Sequence, residues 1–294
     1  MTVPPPPLRC PPAPYERALL LAAWLKRRGV AARLVLLDAG GGMPLFNRLL
    51  AEAGTKKGAA GADGAKVVTV EHLRHQRVRR VDPFARRIVT DEGEIAFDHA
   101  LLLPPMRAAA LFADAALVGR DAGASAGAAT TSTASTASTA STASTASTAS
   151  TASTASRGSS ASAARWADVE PLTLRARADE RIWIAGDALG QVSALFGAYP
   201  KTAQIAAETG VAAALQIAAA ARGDPPPPPL LPASACHVWT AAEPAEQVQI
   251  DVSHRLRGDG AIVQSVRQTD NPMPRDEDLA WARALFAVRL GVQV

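Results

Sequence analysis

The chain has 294 residues, a formal net charge of +4, 48% hydrophobic residues and 20% charged residues. This composition supplies enough apolar side chains for a core and excludes an intrinsically disordered chain. The two cysteines, Cys10 and Cys236, are too few for a disulfide-rich scaffold. At 226 positions apart they are too distant for a zinc ribbon or a CxxC redox motif. They are either two buried thiols or one pair that only the fold brings together.

The first 38 residues predict a strand–helix–strand unit. Residues 1–3 are expected to end a strand, and a proline-rich segment at 4–14 follows it. The predicted helix begins with the last of these prolines, carries an apolar stripe and ends at Gly29. Residues 32–37 form a continuous apolar run that ends at Asp38 and indicates a buried parallel strand. This order is the opening of a nucleotide-binding βαβ unit.

The turn between that first strand and helix has no glycine, although a dinucleotide site requires the spacing G-x-G-x-x-G there. Residues 6–14 read PPLRCPPAP, and prolines remove the backbone N–H groups that would bind a phosphate. The glycines at 40–42 follow the second strand and do not fit the fingerprint. The unit therefore has dinucleotide-domain architecture with the dinucleotide site closed, and Cys10 lies where the phosphate would be.

The middle of the chain predicts short strands. They are expected at residues 67–70, in a hairpin over 87–97 that turns at 91–93, and at 100–103. The arginines between residues 72 and 87 are interpreted as a solvated strand face paired with nearby carboxylates. A nucleic-acid interface is not expected, because Phe84 is the only aromatic residue among them.

Residues 132–155 repeat the triplet Ser-Thr-Ala eight times. A period of three matches neither a helix nor a strand, so a flexible loop is expected from about residue 121 to 164. An O-glycosylated stalk is the alternative interpretation of this repeat.

After the repeat, a strand is predicted at residues 181–185 and a long alanine-rich helix at 201–221. Five prolines at 225–229 indicate a stiff linker. Two strands at 247–252 and 261–266 and a helix at 277–290 complete the predicted elements. No run of 18 apolar residues is present, so no membrane span is expected. The N-terminus has no recognisable export signal, and the five histidines have no metal-ligand spacing.

Three residues attract functional interpretations that compete with structural ones. Cys10 is either a core filler or a reactive thiol, because Arg9 and a nearby helix N-terminus favour a thiolate. Glu16 is either a charge at the start of a helix or an acid/base. Asp187 is either part of a turn at the end of a strand or an acceptor for the hydroxyls of a ligand.

Residues 9–18 read RCPPAPYERA. This segment resembles one in the flavoprotein subunit of flavocytochrome c sulfide dehydrogenase, which usually reads RCPPGPYERA, so Ala13 replaces a glycine. Sulfide:quinone oxidoreductases are more distant relatives. Weaker matches follow in the same order along the chain: FD at 97–98, LPPMRA at 103–108, IWIAGD at 182–187, PK at 200–201, Cys236, and residues 281–291.

The resemblance implies an α/β fold of the FAD/NAD(P)-binding type with partial Rossmann-like domains. Residues 1–98 would be an NAD-like Rossmann domain without its phosphate loop, and residues 99–224 a partial FAD-binding domain containing the repeat. Residues 225–294 would be a small α+β interface domain. Family members carry a flavin-binding strand, a glycine-rich loop and an export signal ahead of this region. The chain is therefore expected to be N-terminally truncated, to bind FAD poorly by itself and to belong in the periplasm.

The resemblance also implies a set of site residues. Cys10 and Cys236 would form a redox-active disulfide beside FAD, within Cα reach of about 7 Å, and Glu16 would manage protons. The cofactor-binding residues would be Gly186, Asp187, Pro200, Lys201, Pro105 and Arg107, although Met106 replaces a usual glutamine.

The function implied is sulfide oxidation, with electrons passing through the cysteine pair and FAD to a cytochrome c subunit. A non-catalytic remnant or partner-binding scaffold is the alternative. A quinone-linked enzyme is the third option, but it would need an apolar C-terminal membrane segment, which the charged residues at 275–283 do not resemble.

Overall fold

The structure is a computed structural model that describes residues 1–55, 67–118 and 166–291. These residues form a mixed α/β fold with small sheets, as the sequence predicts. The loop predicted for the Ser-Thr-Ala repeat, at about 121–164, lies outside the described residues.

The N-terminal sheet is parallel and has the strand order β1-β2-β3. It consists of β1 (Thr2–Val3), β2 (Ala32–Asp38) and β3 (Val68–Arg74). The strands predicted at 1–3 and 32–37 are confirmed. The third strand continues beyond the predicted residue 70 because it pairs with β2 along its whole length.

Helix α1 (Ala13–Arg27) connects β1 to β2 and confirms the predicted helix. Pro14 lies in its first turn, where its missing N–H costs no hydrogen bond. Gly29, with φ +63°, follows the end of the helix in the left-handed region. A second helix, α2 (Pro44–Thr55), follows β2 and packs against β3; the sequence did not predict it.

The second sheet is antiparallel and contains β4 (Val78–Asp82), β5 (Arg87–Thr90) and β6 (Gly93–Ala96). The predicted hairpin is confirmed. The predicted paired arginine face is also present, and its ion pairs are Arg79–Asp91, Arg80–Asp82 and Arg87–Glu94.

Two predicted strands are wrong. At 100–103 the chain is extended, but it bonds β1 partly through a side chain, because the Leu103 N–H donates to Oγ1 of Thr2 at 2.8 Å. At 181–185 an isolated bridge joins Trp183 to Arg175, and a 3-10 helix (Gly186–Ala188) follows. The apolar run at 101–103 is exposed and, of residues 181–185, only Ile184 is buried, so neither run marks a buried strand.

Helix α4 (Ala203–Arg222) confirms the predicted alanine-rich helix, and a short helix α3 (Ala110–Asp114) precedes it in the chain. Oγ1 of Thr202 caps the start of α4 by accepting the Ile205 N–H at 3.2 Å. Among the helices in the described ranges, α4 alone is long and apolar enough to cross a membrane, by length and composition only. A core helix passes the same test, and 33% of the relevant window is buried, so this is weak evidence for a span.

The C-terminal sheet is antiparallel, in the order β7-β8-β9. It contains β7 (Ser234–Ala242), β8 (Ala245–Leu256) and β9 (Ile262–Asn271), and α5 (Glu277–Leu290) follows. The strands predicted at 247–252 and 261–266 and the last helix are confirmed. Strand β7, which carries Cys236, was not predicted.

Two hydrophobic cores hold these elements. The first contains residues of β1–β3, α1 and α2, and it also includes Val238 of β7 and Val248 of β8. The second surrounds α4 and residues 167–199. Strand β7 therefore packs against α1 across the first core. The domain boundaries expected at residues 98 and 224 stay predictions.

A buried polar network lies at the end of β2. The Tyr15 hydroxyl donates to Oδ2 of Asp38 at 2.8 Å, and Nε2 of His72 is 3.0 Å from the same oxygen. The Gly40 N–H donates to Oδ1 at 2.8 Å. Burial by itself would raise the pKa of Asp38, but the hydrogen bonds from His72, Gly40 and Tyr15 together hold that pKa below its usual value. The network attaches the first turn of α1 to the sheet.

Replacing Tyr15 with Phe is expected to lower the free energy of unfolding by about 1–3 kcal/mol, because a buried carboxylate loses a donor. Urea unfolding at neutral pH measures this loss. Tyr199→Phe is the matched control, since the buried Tyr199 hydroxyl has no hydrogen-bond partner within the described residues. Similar losses in both variants would show that the Asp38 bond is not the cause.

Candidate functional site

Cys10 lies in the turn between β1 and α1. Its backbone is left-handed, with φ +49°. Its N–H donates to the carbonyl of Lys201 at 2.8 Å, and its own carbonyl accepts the Ala13 N–H at 3.0 Å. A non-glycine residue in the left-handed region is strained, so the contacts around it must hold the turn in place.

Cys236 lies on β7, where it pairs with Ile250 of β8. Its Sγ is 3.8 Å from the Ile250 carbonyl oxygen, to which it donates. Both cysteines are half-buried free thiols, so the structure does not contain the expected disulfide. The redox pairing of these cysteines stays a prediction.

Glu16 connects the elements that carry the two cysteines. It lies in the first turn of α1, and its Oε1 accepts the backbone N–H of Trp239 at 2.8 Å. Trp239 is three residues beyond Cys236 on β7. The carboxylate therefore holds α1 against the strand that carries the second cysteine.

The three groups influence one another electrostatically. Burial raises the pKa of Cys236 to about 12, with further contributions from the negative charges of Cys10, Glu16 and Asp251. Burial also raises the pKa of Cys10; the Ala13 amide opposes this and the Glu16 charge adds to it. The pKa of Glu16 is raised by burial, against the Trp239 amide and Arg17. Burial therefore shifts each group toward its protonated form relative to water, and the charge of Glu16 adds to that shift at the two thiols.

This result opposes the interpretation that Arg9 and the nearby helix N-terminus favour a Cys10 thiolate. Arg9 is not among the groups that shift the Cys10 pKa, and its guanidinium pairs with Asp187. Both Nε and Nη2 of Arg9 are 3.2 Å from Oδ2 of Asp187. Burial and the Glu16 carboxylate outweigh the one backbone amide that favours the thiolate.

The expected flavin-binding residues Gly186, Asp187, Pro200 and Lys201 lie next to the Cys10 turn. Arg9 forms an isolated parallel bridge with Lys201 in addition to its ion pair with Asp187. Gly186 has φ +74°, in the region that favours glycine. Pro200 directly precedes Lys201, just before α4 begins.

Lys201 is a buried cation. Its Nζ donates to the Leu189 carbonyl and lies 4.5 Å from the ring centroid of Trp166. Burial lowers the pKa of Lys201 to about 8, although the nearby Asp187 opposes that change. The charged form of Lys201 is therefore less strongly favoured than in water, and a negative charge beside it would restore that preference.

Pro105 and Arg107, the two other residues expected to bind flavin, make no bond to the residues around Cys10 within the described ranges. Both are exposed, in the extended segment before α3. Within the described ranges, no hydrogen bond or ion pair joins either of them to the cysteines, Asp187 or Lys201. Their role beside a flavin stays a prediction.

The residues near Cys10 fit the chemistry of a flavin. Asp187 keeps its Oδ1 without a hydrogen bond among the described residues, and its side chain is partly exposed. A carboxylate oxygen can accept from the hydroxyls of a ribityl chain, and the cations Arg9 and Lys201 can balance negative charge on the ring. Gly186 packs beside α4, where an added Cβ would lie 3.5 Å from the Cβ of Ala206.

Three contacts of this site were not predicted from the sequence. They are the Arg9–Asp187 ion pair, the hydrogen bond from the Trp239 N–H to Glu16, and the contact of Lys201 with the indole of Trp166. Arg9 belongs to the specific motif at 9–18, so the motif could have drawn attention to it. The two tryptophans carry no local signal, because only the tertiary fold brings them to the site.

Residues 1–104 match the family described as sulfide dehydrogenase (flavocytochrome c) flavoprotein chain, central. This match supports the resemblance to that flavoprotein subunit predicted from the sequence. The matched range includes Cys10, Glu16 and all strands from β1 to β6. Asp187, Lys201 and Cys236 lie outside it, so their assignments rest on the shorter motifs. No curated protein matches the chain.

Replacing Glu16 with Gln is expected to raise the rate at which iodoacetamide alkylates Cys236 by about threefold to tenfold at mildly alkaline pH. Removal of one nearby negative charge lowers the thiol pKa, and each tenfold gain in thiolate corresponds to one pKa unit. The glutamine carbonyl can still accept the Trp239 N–H, so the fold should persist. Mass spectrometry of each cysteine measures the rates.

Glu94→Gln is the control, because Glu94 pairs with Arg87 in the second sheet and is not among the charges that act on either thiol. An equal rate in wild type and Glu16→Gln would contradict the electrostatic link between Glu16 and Cys236.

Proposed function

We propose that the chain is an FAD-dependent oxidoreductase of the sulfide dehydrogenase type. It would oxidise sulfide through Cys10 and Cys236 and pass electrons through the flavin to a cytochrome c subunit, in the periplasm. The observation that carries this proposal is the cluster itself. The two cysteines of the chain, 226 positions apart, interact electrostatically with each other and with Glu16 beside a segment matched to this family.

The cysteine chemistry begins from the oxidised pair. Hydrosulfide attacks one sulfur of a Cys10–Cys236 disulfide, which forms a persulfide bond on that sulfur and breaks the bond between the cysteines. The other cysteine leaves as a thiolate, so the sulfide sulfur is oxidised and the cysteine pair is reduced. Burial raises the pKa of Glu16, which suits this carboxyl to give a proton to the leaving thiolate and to take one from the persulfide.

The residues beside Cys10 would hold the flavin. Asp187 and Gly186 would face the hydroxyl chain of the flavin. Lys201, Pro200 and the start of α4 would lie near the flavin ring and stabilise negative charge on it. Pro105 and Arg107 complete the expected set. When bound, FAD supplies a two-electron acceptor that can release electrons singly to a haem protein.

The architecture supports the same proposal. The parallel order β1-β2-β3, with α1 after the first strand and α2 after the second, is the order that a Rossmann-like half-unit would have. The C-terminal sheet, packed against α1 through β7, would be the interface domain that brings Cys236 to the flavin.

Trapping a persulfide tests the cysteine step without a flavin. The full chain is oxidised with diamide to form the disulfide, exposed to sulfide and then alkylated. Mass spectrometry is expected to find one additional sulfur on Cys10 or Cys236 and an alkylated thiol on the other. Cys10→Ser and Cys236→Ser are the controls and should form no disulfide. A wild-type chain that forms no Cys10–Cys236 disulfide would favour a non-catalytic scaffold.

FAD binding tests the cofactor residues separately. Asp187→Asn is expected to weaken the affinity for FAD by about tenfold, because a charge-assisted hydrogen bond is lost. Quenching of FAD fluorescence on titration with protein measures this affinity. Asp224→Asn is the control, since Asp224 is exposed and pairs with Arg222 just beyond α4. Equal affinities in the two variants would remove Asp187 from the site, and stoichiometric FAD in the purified protein would contradict the expected weak binding.

A further inference from the structure

The side chain of Arg9 turns away from its neighbour Cys10 and contacts Asp187. Two of its nitrogens share the same carboxylate oxygen, each at 3.2 Å. The backbone of the same dipeptide contacts Lys201, through the Arg9 bridge and the Cys10 N–H. The Cys10 turn is thus joined at two points to residues 178 and more positions away in sequence.

Those two attachment points belong to one framework. The 3-10 helix that carries Asp187 is anchored to α4, because the Gly186 N–H donates to Oγ1 of Thr209 at 2.9 Å and Thr209 is buried. The side chain of Lys201 is bonded to the carbonyl of Leu189, which directly follows that 3-10 helix. The guanidinium of Arg9 therefore reaches a fixed carboxylate.

Cys236 is held by a different contact. Its strand is joined to α1 by the hydrogen bond between Glu16 and the Trp239 N–H. The distance between the two sulfurs consequently depends on two separate contacts. One is the Arg9–Asp187 ion pair beside Cys10, and the other is the Glu16–Trp239 hydrogen bond near Cys236. Bond formation between two thiols depends strongly on how well both are held in a reactive geometry.

We propose that Arg9 is a positioning residue for the redox pair: its ion pair with Asp187 fixes the Cys10 turn so that Cys10 can bond Cys236. This inference rests on the proposed function and adds a role for a residue outside the expected site. It gives Asp187 a second role, as the anchor of the cysteine turn. The left-handed backbone of Cys10 is the reason that an anchor is required.

The effect is expected on geometry and not on stability. The Arg9 side chain is 73% exposed, and such ion pairs add little to the free energy of unfolding because solvent screens them. Loss of the pair should release the Cys10 turn while the fold remains intact. This separates a positioning role from a merely structural one.

The experiment is a thiol–disulfide equilibrium of the full chain in mixtures of reduced and oxidised glutathione. In this reaction the two thiols and one oxidised glutathione give the protein disulfide and two reduced glutathiones. Arg9→Gln and Asp187→Asn are each expected to lower the equilibrium constant for the Cys10–Cys236 disulfide by roughly threefold to tenfold. The double variant should match the single variants, and Arg9→Lys should recover part of the loss.

Arg177→Gln is the matched control, since Arg177 is an exposed arginine paired with Asp168 elsewhere in the chain. The thermal midpoints of all variants should stay within about 2 °C of wild type. An equilibrium constant for Arg9→Gln within twofold of wild type, or equal to that of Arg177→Gln, would overturn the positioning role and leave the proposed function intact. Failure of the wild type to form the disulfide would overturn the proposed function itself.

Discussion

The hydrogen bond from the Trp239 N–H to the Glu16 carboxylate is the interaction on which the candidate site depends. It joins α1, which begins three residues after Cys10, to β7, which carries Cys236. Packing in the first core brings these elements together, because Val238 of β7 is buried with Ala18 and Leu19 of α1. The hydrogen bond then fixes their relative position through a charged acceptor, which makes a stronger bond than a neutral one.

That arrangement has an electrostatic consequence. A half-buried carboxylate placed beside two half-buried thiols disfavours the ionised form of each, and the pKa values of Cys10, Cys236 and Glu16 are all raised. A thiolate generated in this environment is a high-energy species that will take a proton or form a covalent bond. The environment thus favours the protonated thiol of both cysteines.

The parts of the fold that the sequence predicted well are those with strong local signals. Pro14 and Gly29 mark helix ends that depend on nearby residues alone, and the motif at 9–18 identified Cys10 and Glu16. Strand β7 escaped prediction because its burial does not alternate: all but one of its residues are partly exposed. The Arg9–Asp187 pair spans 178 positions, and no local pattern reports a contact of that kind.

The contacts of Asp38 support the parallel sheet and helix of the N-terminal unit. In a dinucleotide domain the acid at the end of the second strand bonds a ribose hydroxyl. Here that acid, Asp38, is buried, and its two oxygens are engaged by Tyr15, His72 and the Gly40 N–H. Tyr15 directly precedes Glu16 on α1, so the Asp38 carboxylate holds the start of the helix that carries Glu16. The unit thereby serves as a support that sets the position of Glu16 and of the Cys10 turn ahead of it.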